Sequence, residues 1–228
     1  MSIKKFIDCF LECYNKDNGG QQGKEVKFPL KAPDVSRYRV VDFNVWKGND
    51  LFFKATDGRS YVDPKFQHHL NNCLQKDIRF GVYHFWNCSH NWQEQADHFI
   101  ETVGTHLRDS FYLPVLDFEP SKSKGQGHKD LLADRKNIEL YMEKVNNYTK
   151  RKTMIYSASW YIRNLWKDYD TTRLLELTSP PWQADWKNVP TGHGPWDSMA
   201  IHQYTDKEKV KGIDNVKGCD MNTVFKVS

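Results

Sequence analysis

Short apolar runs alternate along this chain with segments that read as amphipathic helices, and this rhythm constrains the fold more than any other feature. The candidate strands are 26–35, 51–55, 80–86, 112–118, 153–157, 182–186, 199–204 and a short last one near 219–222. Strand–helix–strand alternation points to parallel pairing, because parallel neighbours need a long crossover that a helix normally supplies. Asp63-Pro64 offers an N-cap and a first-turn proline for a helix running to about Lys76. Asn91 and Glu94 stand at capping-box spacing before a stripe of Ala96, Phe99, Ile100, Val103 and Leu107. A third stripe, Ile138, Tyr141, Met142 and Val145, lies within 128–150. Eight strands with fewer, unequal helices predict an α/β fold: an irregular TIM-like (β/α) barrel, parallel or mostly so, with degenerate later units. The 228 residues suffice for one such domain, taken as 26–228, behind an N-terminal amphipathic extension, 1–25, whose Phe6, Cys9, Phe10 and Cys13 share a helical face.

In barrels of this kind function gathers at the carboxyl ends of the strands. Polar residues fall at just those places: Asp34, Lys54, His84, Asp117, Glu119, Gln203 and Asp220. The most pointed stretch is Leu113-Pro114-Val115-Leu116-Asp117-Phe118-Glu119-Pro120. An apolar run ends in two carboxylates two residues apart, and a proline stops it. Side chains at i and i+2 of a strand point the same way, roughly 6–7 Å apart, so Asp117 and Glu119 should project together from the end of a buried strand. Paired carboxylates are what glycoside cleavage by acid assistance requires. The loop 121–129 follows directly and is placed to border a cleft. Asp42 reads as a cap at a loop or helix start, and His84, between two aromatics, as a hydrogen-bonded core histidine.

Composition excludes several other chemistries. Net charge is +4 with lysines scattered, and no basic cluster with interleaved aromatics suggests a nucleic-acid groove. The five cysteines form no C-x-x-C pair, and the histidines lack ligand spacing, so neither a disulfide framework nor a metal site is expected. No cofactor is expected, since a glycine-rich phosphate loop is missing. No apolar run approaches a membrane span, so no stable membrane insertion is expected. The opening residues imitate a signal peptide, but Asp8 and Glu12 interrupt the apolar region and no small-residue cleavage site follows. Aromatics reach 14%, and flat rings stack on sugar faces. Tyr83, Phe85, Tyr156, Trp182, Trp186 and Tyr204 occupy strand ends where they can line sugar subsites, in competition with core packing. Lys54 and Gln203 can donate hydrogen bonds to substrate or hold the aspartates.

Taken in order, the motifs resemble the glycoside hydrolase family 25 lysozymes, the Chalaropsis-type N-acetylmuramidases found in many phage endolysins. The series runs Asp34-Val35-Ser36-Arg37-Tyr38, then Val41-Asp42-Phe43-Asn44, then Phe53-Lys54-Ala55-Thr56-Asp57-Gly58, which is similar to the family's K-A-T-E-G. It continues through Tyr61-x-Asp63-Pro64-x-Phe66, Gly81-Val82-Tyr83-His84-Phe85, Gln95-Ala96-x-x-Phe99 and Leu116-Asp117-Phe118-Glu119. Ile155-Tyr156-Ser157, Trp182-Gln183-Ala184-Asp185-Trp186, His202-Gln203-Tyr204-Thr205 and Asp220-Met221-Asn222 complete it. Two departures stand out: Arg37-Tyr38-Arg39 where a glutamine-glycine often follows the opening motif, and His202 where tryptophan is usual.

The resemblance implies a muramidase cleaving the β-1,4 bond between N-acetylmuramic acid and N-acetylglucosamine in bacterial cell-wall peptidoglycan. Glu119 would be the general acid. Asp117 would serve as nucleophile, electrostatic stabiliser or the group orienting the substrate's acetamide, and Asp34 and Asp220 match the family's two flanking aspartates. It further implies synthesis in the cytoplasm without a signal peptide, with delivery to the wall through a phage holin or on the virion. The rivals from the same residues are a catalytically silent wall-binding or virion protein on this barrel and a chitinase-like hexosaminidase.

Overall fold

The structure is a computed structural model that describes residues 26–214 and 218–226; the amphipathic segment expected over 1–25 lies outside them. Nine strands follow in chain order: β1 (Leu30–Val35), β2 (Asp50–Asp57), β3 (Tyr61–Val62), β4 (Arg79–Phe85), β5 (Val115–Asp117), β6 (Met154–Ala158), β7 (Trp182–Ala184), β8 (Ile201–Glu208) and β9 (Cys219–Val224). β1, β2, β4, β5, β6, β7 and β8 pair in parallel, each with the next. β9 runs antiparallel to both β8 and β1 and closes the ring. Eight strands therefore make a mixed, closed barrel, and β3 is a short antiparallel appendage of β2. The single reversed strand fits the expectation of a mostly parallel barrel with degenerate later units. Among the described residues no helix stands between β8 and β9, and without a crossover the chain returns antiparallel.

Alternation along each strand sorts the side chains. Ala32, Phe52, Val115, Met154, Trp182, Ile201 and Val224 fill the barrel interior with Tyr112 and Leu113. Their outward neighbours, among them Leu51, Phe53, Val82, Leu116 and Ile155, pack beneath the helices. Interior space is tight enough to dictate one glycine: a Cβ on Gly81 would lie 2.5 Å from the Phe52 ring. At the amino end of the strands, Asp50 takes two bonds from Arg79, at 2.7 and 2.6 Å, and one from the Tyr112 hydroxyl at 2.6 Å.

The helices follow the expected stripes with shifted ends. α1 (Phe66–Gln75) begins after Lys65, later than the Asp63-Pro64 signal suggested. Asp63 accepts from the backbone N–H of Lys65, two residues on, and from that of Arg37, both at 2.9 Å. α2 (Trp92–Val103) is capped by Asn91, whose side chain accepts from Gln93 and Glu94. It stops at Gly104, with φ at 62°, so Leu107 falls on the separate short helix α3 (His106–Asp109). The segment 128–150 divides into α4 (His128–Ala133) and α5 (Arg135–Thr149), and the whole third stripe, Ile138, Tyr141, Met142 and Val145, is buried on the latter. α6 (Ser159–Asn164) and α7 (Thr172–Leu177) complete the outer layer. Among the described residues no helix is long and apolar enough to cross a membrane.

Candidate active site

The same alternation that packs the barrel's middle places polar side chains at its carboxyl rim. Two residues beyond Ala32 comes Asp34; beyond Val115, Asp117; beyond Met154, Tyr156; beyond Ile201, Gln203. β9 reaches this rim with its amino end because it is reversed, and so Asp220 stands directly opposite Asp34 in the β1–β9 ladder. Opposed antiparallel residues sit with Cβ atoms about 5 Å apart. Asp34, Asp117, Glu119 and Asp220, distant in sequence, line one cleft of about 430 Å³ together with Tyr83, Tyr156, Trp182, Trp186 and Gln203.

Backbone bonds fix the acidic strand end on both sides. The carbonyl of Asp117 accepts from the Trp86 N–H at 2.9 Å, and the Phe118 N–H donates to Tyr156 at 2.9 Å. The Ser157 hydroxyl donates to the Phe118 carbonyl at 2.7 Å. Phe118 itself turns outward against Trp86 and Trp166, which leaves Asp117 and Glu119 on the inner side, as the i, i+2 spacing requires.

Asp34 is held by amides. The Asn222 side chain donates to its Oδ2 at 2.7 Å and that of Gln203 at 3.1 Å. Gln203 in turn accepts from the hydroxyl of Tyr156 at 3.1 Å and the indole of Trp186 at 3.3 Å. Asn222 accepts from the indole of Trp182 at 2.8 Å. Trp182 is buried, and Trp186 is more than half exposed at the lip.

All four carboxyls are pushed towards their protonated forms, chiefly by burial. Asp34 rises to about 6 against the pull of its two amide donors. Glu119 rises to about 7, with the Lys54 ammonium opposing and Asp34 assisting. Asp117 is driven well above the usual carboxylate range by burial and then by Glu119. Asp220 reaches about 8 through burial and its neighbours Asp34 and Asp206, with Arg39 opposing. The elevation of Glu119 is therefore shared by the whole cluster. One oxygen of Asp117, Oδ1, is buried without a hydrogen-bond partner.

Three expected positions lie elsewhere. Lys54 and Phe85 line a neighbouring hollow rather than the acid cleft, with the Lys54 ammonium 4.4 Å from the Phe85 ring centre. Tyr204 is a correction. It alternates to the face opposite Gln203, beside His202, with the Lys31 ammonium 3.8 Å from its ring centre. His84 also faces outward, bonded to Thr56 at 2.8 Å and Gln95 at 3.3 Å, and burial lowers its pKa to about 3. Asp42 caps a turn through the Asn44 N–H at 2.9 Å. The loop after the acids forms a short 3₁₀ turn, Lys122–Lys124, and borders the Lys54 hollow. Sequence reasoning passed over Asn222, Arg39 and Asp206 as site residues. Asn222 carried a usable signal, standing at i+2 from Asp220. Asp206 carried none, because β8 runs on to Glu208 past its expected end.

The sequence model described as glycosyl hydrolases family 25 matches residues 34–213. Lysozyme M1 of Streptomyces globisporus is 28% identical over 203 residues, 79% of this chain and 66% of that protein, so the chain spans about two thirds of that relative's length. Uncharacterized protein YegX of Escherichia coli (strain K12) is 26% identical over 198 residues, 82% of this chain and 67% of that protein. The bacterial lysozyme from Streptomyces coelicolor shares the fold with a TM-score of 0.70 at 22% identity, covering 89% of this chain and 95% of its own. The CTP1L endolysin does so with a TM-score of 0.60 at 19% identity, covering 86% of this chain and 66% of its own. With the family pattern running from the first acid of β1 to the loop before β9, the chain belongs to glycosyl hydrolase family 25.

Proposed function

We propose that this protein is a lysozyme that hydrolyses the β-1,4 bond between N-acetylmuramic acid and N-acetylglucosamine of peptidoglycan. The observation that carries the reading is the convergence of four carboxyls, Asp34 and Asp117 buried and Glu119 and Asp220 half-buried, in one aromatic-walled cleft at the carboxyl rim. Asp117 sits in a poorly solvated place and the charge of Glu119 pushes it further towards its protonated form, so the pair resists giving up its last proton. A bound sugar decides where that proton sits. An acetamide N–H brought against Asp117 favours charge on that carboxylate and leaves the proton on Glu119. Glu119 then protonates the leaving glycosidic oxygen as the oriented acetamide oxygen attacks C1 and the glycosidic C1–O bond breaks. Water next attacks C1, the bond from C1 to the acetamide oxygen breaks, and the water's proton returns to the Glu119 carboxylate. This is neighbouring-group assistance, available on N-acetylated sugars. Asp34 and Asp220 tune the acid and steady the substrate, and Tyr83, Tyr156, Trp182 and Trp186 supply sugar-facing walls. The setting proposed with it is phage lysis or wall penetration, which the resemblance of the motif series to endolysins supports.

The test is mass analysis of digested peptidoglycan with assignment of the new reducing ends, alongside Glu119→Gln. Muramic-acid reducing ends, and at least about a hundredfold slower lysis by the folded variant, are expected for loss of a general acid. Glucosamine reducing ends, or near-normal lysis by Glu119→Gln, would overturn the reading.

A further inference from the structure

Beside the acid cleft lies a second hollow, of about 440 Å³, whose charge is of the opposite kind. The two are continuous. A third depression shares Asp34, Arg39, Tyr83 and Asp220 with the acid cleft and Ser36 and Tyr38 with the second hollow. A single trough thus crosses the rim, acidic towards one end and basic towards the other.

Three cations face the basic end: Arg37, Lys54 and Lys124. Asp57 answers two of them, at 2.6 Å from the Lys124 ammonium and 3.7 Å from that of Lys54. Both ammonium groups also lie over the Phe85 ring. Asp63 is spent on two backbone N–H groups. Arg37 has phenols for partners, donating to the hydroxyl of Tyr61 at 3.0 Å and to that of Tyr38 at 2.5 Å. A guanidinium has five N–H donors in a fixed fork, so the two phenols aim it and leave further donors for an incoming acceptor. The end as a whole carries more positive than negative charge, and its best-oriented cation is matched to a planar anion.

We infer that this basic hollow is a recognition site for a carboxylate on the glycan, with Arg37 and Lys124 as its specificity-determining residues; the inference rests on the lysozyme reading above. Muramoyl residues bear such a group, either as the free lactyl carboxylate or as the carboxylates of an attached stem peptide. Oligomers of N-acetylglucosamine bear none. A sugar chain lying over the acids with its anionic substituent over Arg37 and Lys124 keeps that substituent away from the four carboxyls, which would otherwise repel it. The hollow thereby favours muramoyl glycans over neutral ones.

Binding to the Glu119→Gln protein, which holds glycans without turning them over, reads the site directly. Calorimetric titrations compare peptide-free peptidoglycan strands, strands carrying stem peptides, and N-acetylglucosamine oligomers of matched length. Adding Arg37→Gln and Lys124→Gln together should weaken a carboxylate-bearing glycan about tenfold, as for lost charge-assisted hydrogen bonds. Neutral oligomers should change less than about twofold. Rising ionic strength should close the gap, and Arg37→Lys should keep part of it. A loss confined to peptide-free strands assigns the lactyl carboxylate, and one confined to peptide-bearing strands assigns the stem peptide. Equal weakening of neutral and anionic glycans, or no weakening of either, overturns the site. Wall lysis by the unmodified protein separates the two readings. Absent lysis with charge-dependent binding removes the lysozyme reading and keeps the site, whereas normal lysis with no effect of charge removes the site alone.

Discussion

Asp34→Asn should make the protein more stable at neutral pH while lowering its activity, and the size of the gain follows from the site. The Asp34 carboxyl is buried, and its pKa rises from an ordinary 3.8 to about 6. A raised acid in the folded state holds its proton over a range where the unfolded chain has released it. Folding is therefore least penalised below pH 4, and stability declines as pH climbs through about 6. At about 1.4 kcal/mol per pKa unit, the penalty carried by Asp34 at pH 7 is about 3 kcal/mol. Asparagine has the same shape and no charge to desolvate. Its amide oxygen can occupy the place of Oδ2, where it still accepts from Asn222 and Gln203. Urea denaturation of both proteins between pH 4 and 8 should show the variant ahead by up to about 3 kcal/mol at pH 7–8, with the difference vanishing near pH 4. Wall lysis should fall at the same time. A stability difference that does not vary with pH, or an unmodified protein more stable than the variant at pH 8, would refute the argument that Asp34 is held charged at a cost.

Activity should fall on the alkaline side as pH passes about 7, where Glu119 loses its proton. In a pH–rate profile of lysis, Lys54→Met should move that limb upward by removing the opposing ammonium, and Asp34→Asn should move it downward by removing a like charge. Lysis should persist in EDTA, because among the described residues no group of three or more His, Cys, Asp or Glu side chains is arranged to hold a metal ion; abolition by EDTA with recovery on adding a divalent ion would count against the site. Gly81→Ala should cost about 1–3 kcal/mol in urea denaturation, as an overpacked interior does, since its Cβ would fall 2.5 Å from the Phe52 ring.

Much of this molecule was legible in its sequence because period-2 and helical patterns report directly on burial. The acid pair is the clearest instance: apolar Val115 and Leu116 fix the strand, and the spacing of Asp117 and Glu119 fixes their common side. Strand direction was less legible. A reversed strand has the same alternation as a parallel one, so nothing within Cys219–Val224 announces that Asp220 meets the rim from the strand's amino end. The useful signal lay outside the strand, in the lack of any helical stripe between Tyr204 and Cys219. The regular helix starts two residues later than its signal, at Phe66. Asp63 does accept from the N–H of Lys65, two residues on, while its other oxygen binds the backbone of Arg37, a contact 26 residues away that no local pattern encodes.

That contact also shows how the two ends of the trough are linked. Asp63 fixes the backbone of Arg37, Tyr61 fixes its guanidinium, and Arg37 lies three residues after Asp34 on the same rim. The next arginine, Arg39, donates to the carbonyl of Gly218 at 2.7 Å, just before β9, and opposes the rise of Asp220. The segment Arg37-Tyr38-Arg39, the chief departure from the family's opening motif, therefore places one cation at the basic end of the trough and another beside the acids. A substitution of Arg39 should change the pH response of the acids, whereas one of Arg37 or Lys124 should change glycan preference. Measuring binding selectivity and the pH–rate profile on Arg39→Gln and Lys124→Gln distinguishes the two effects. An Arg39→Gln profile superimposable on that of the unmodified protein would show that Arg39 does not tune Asp220.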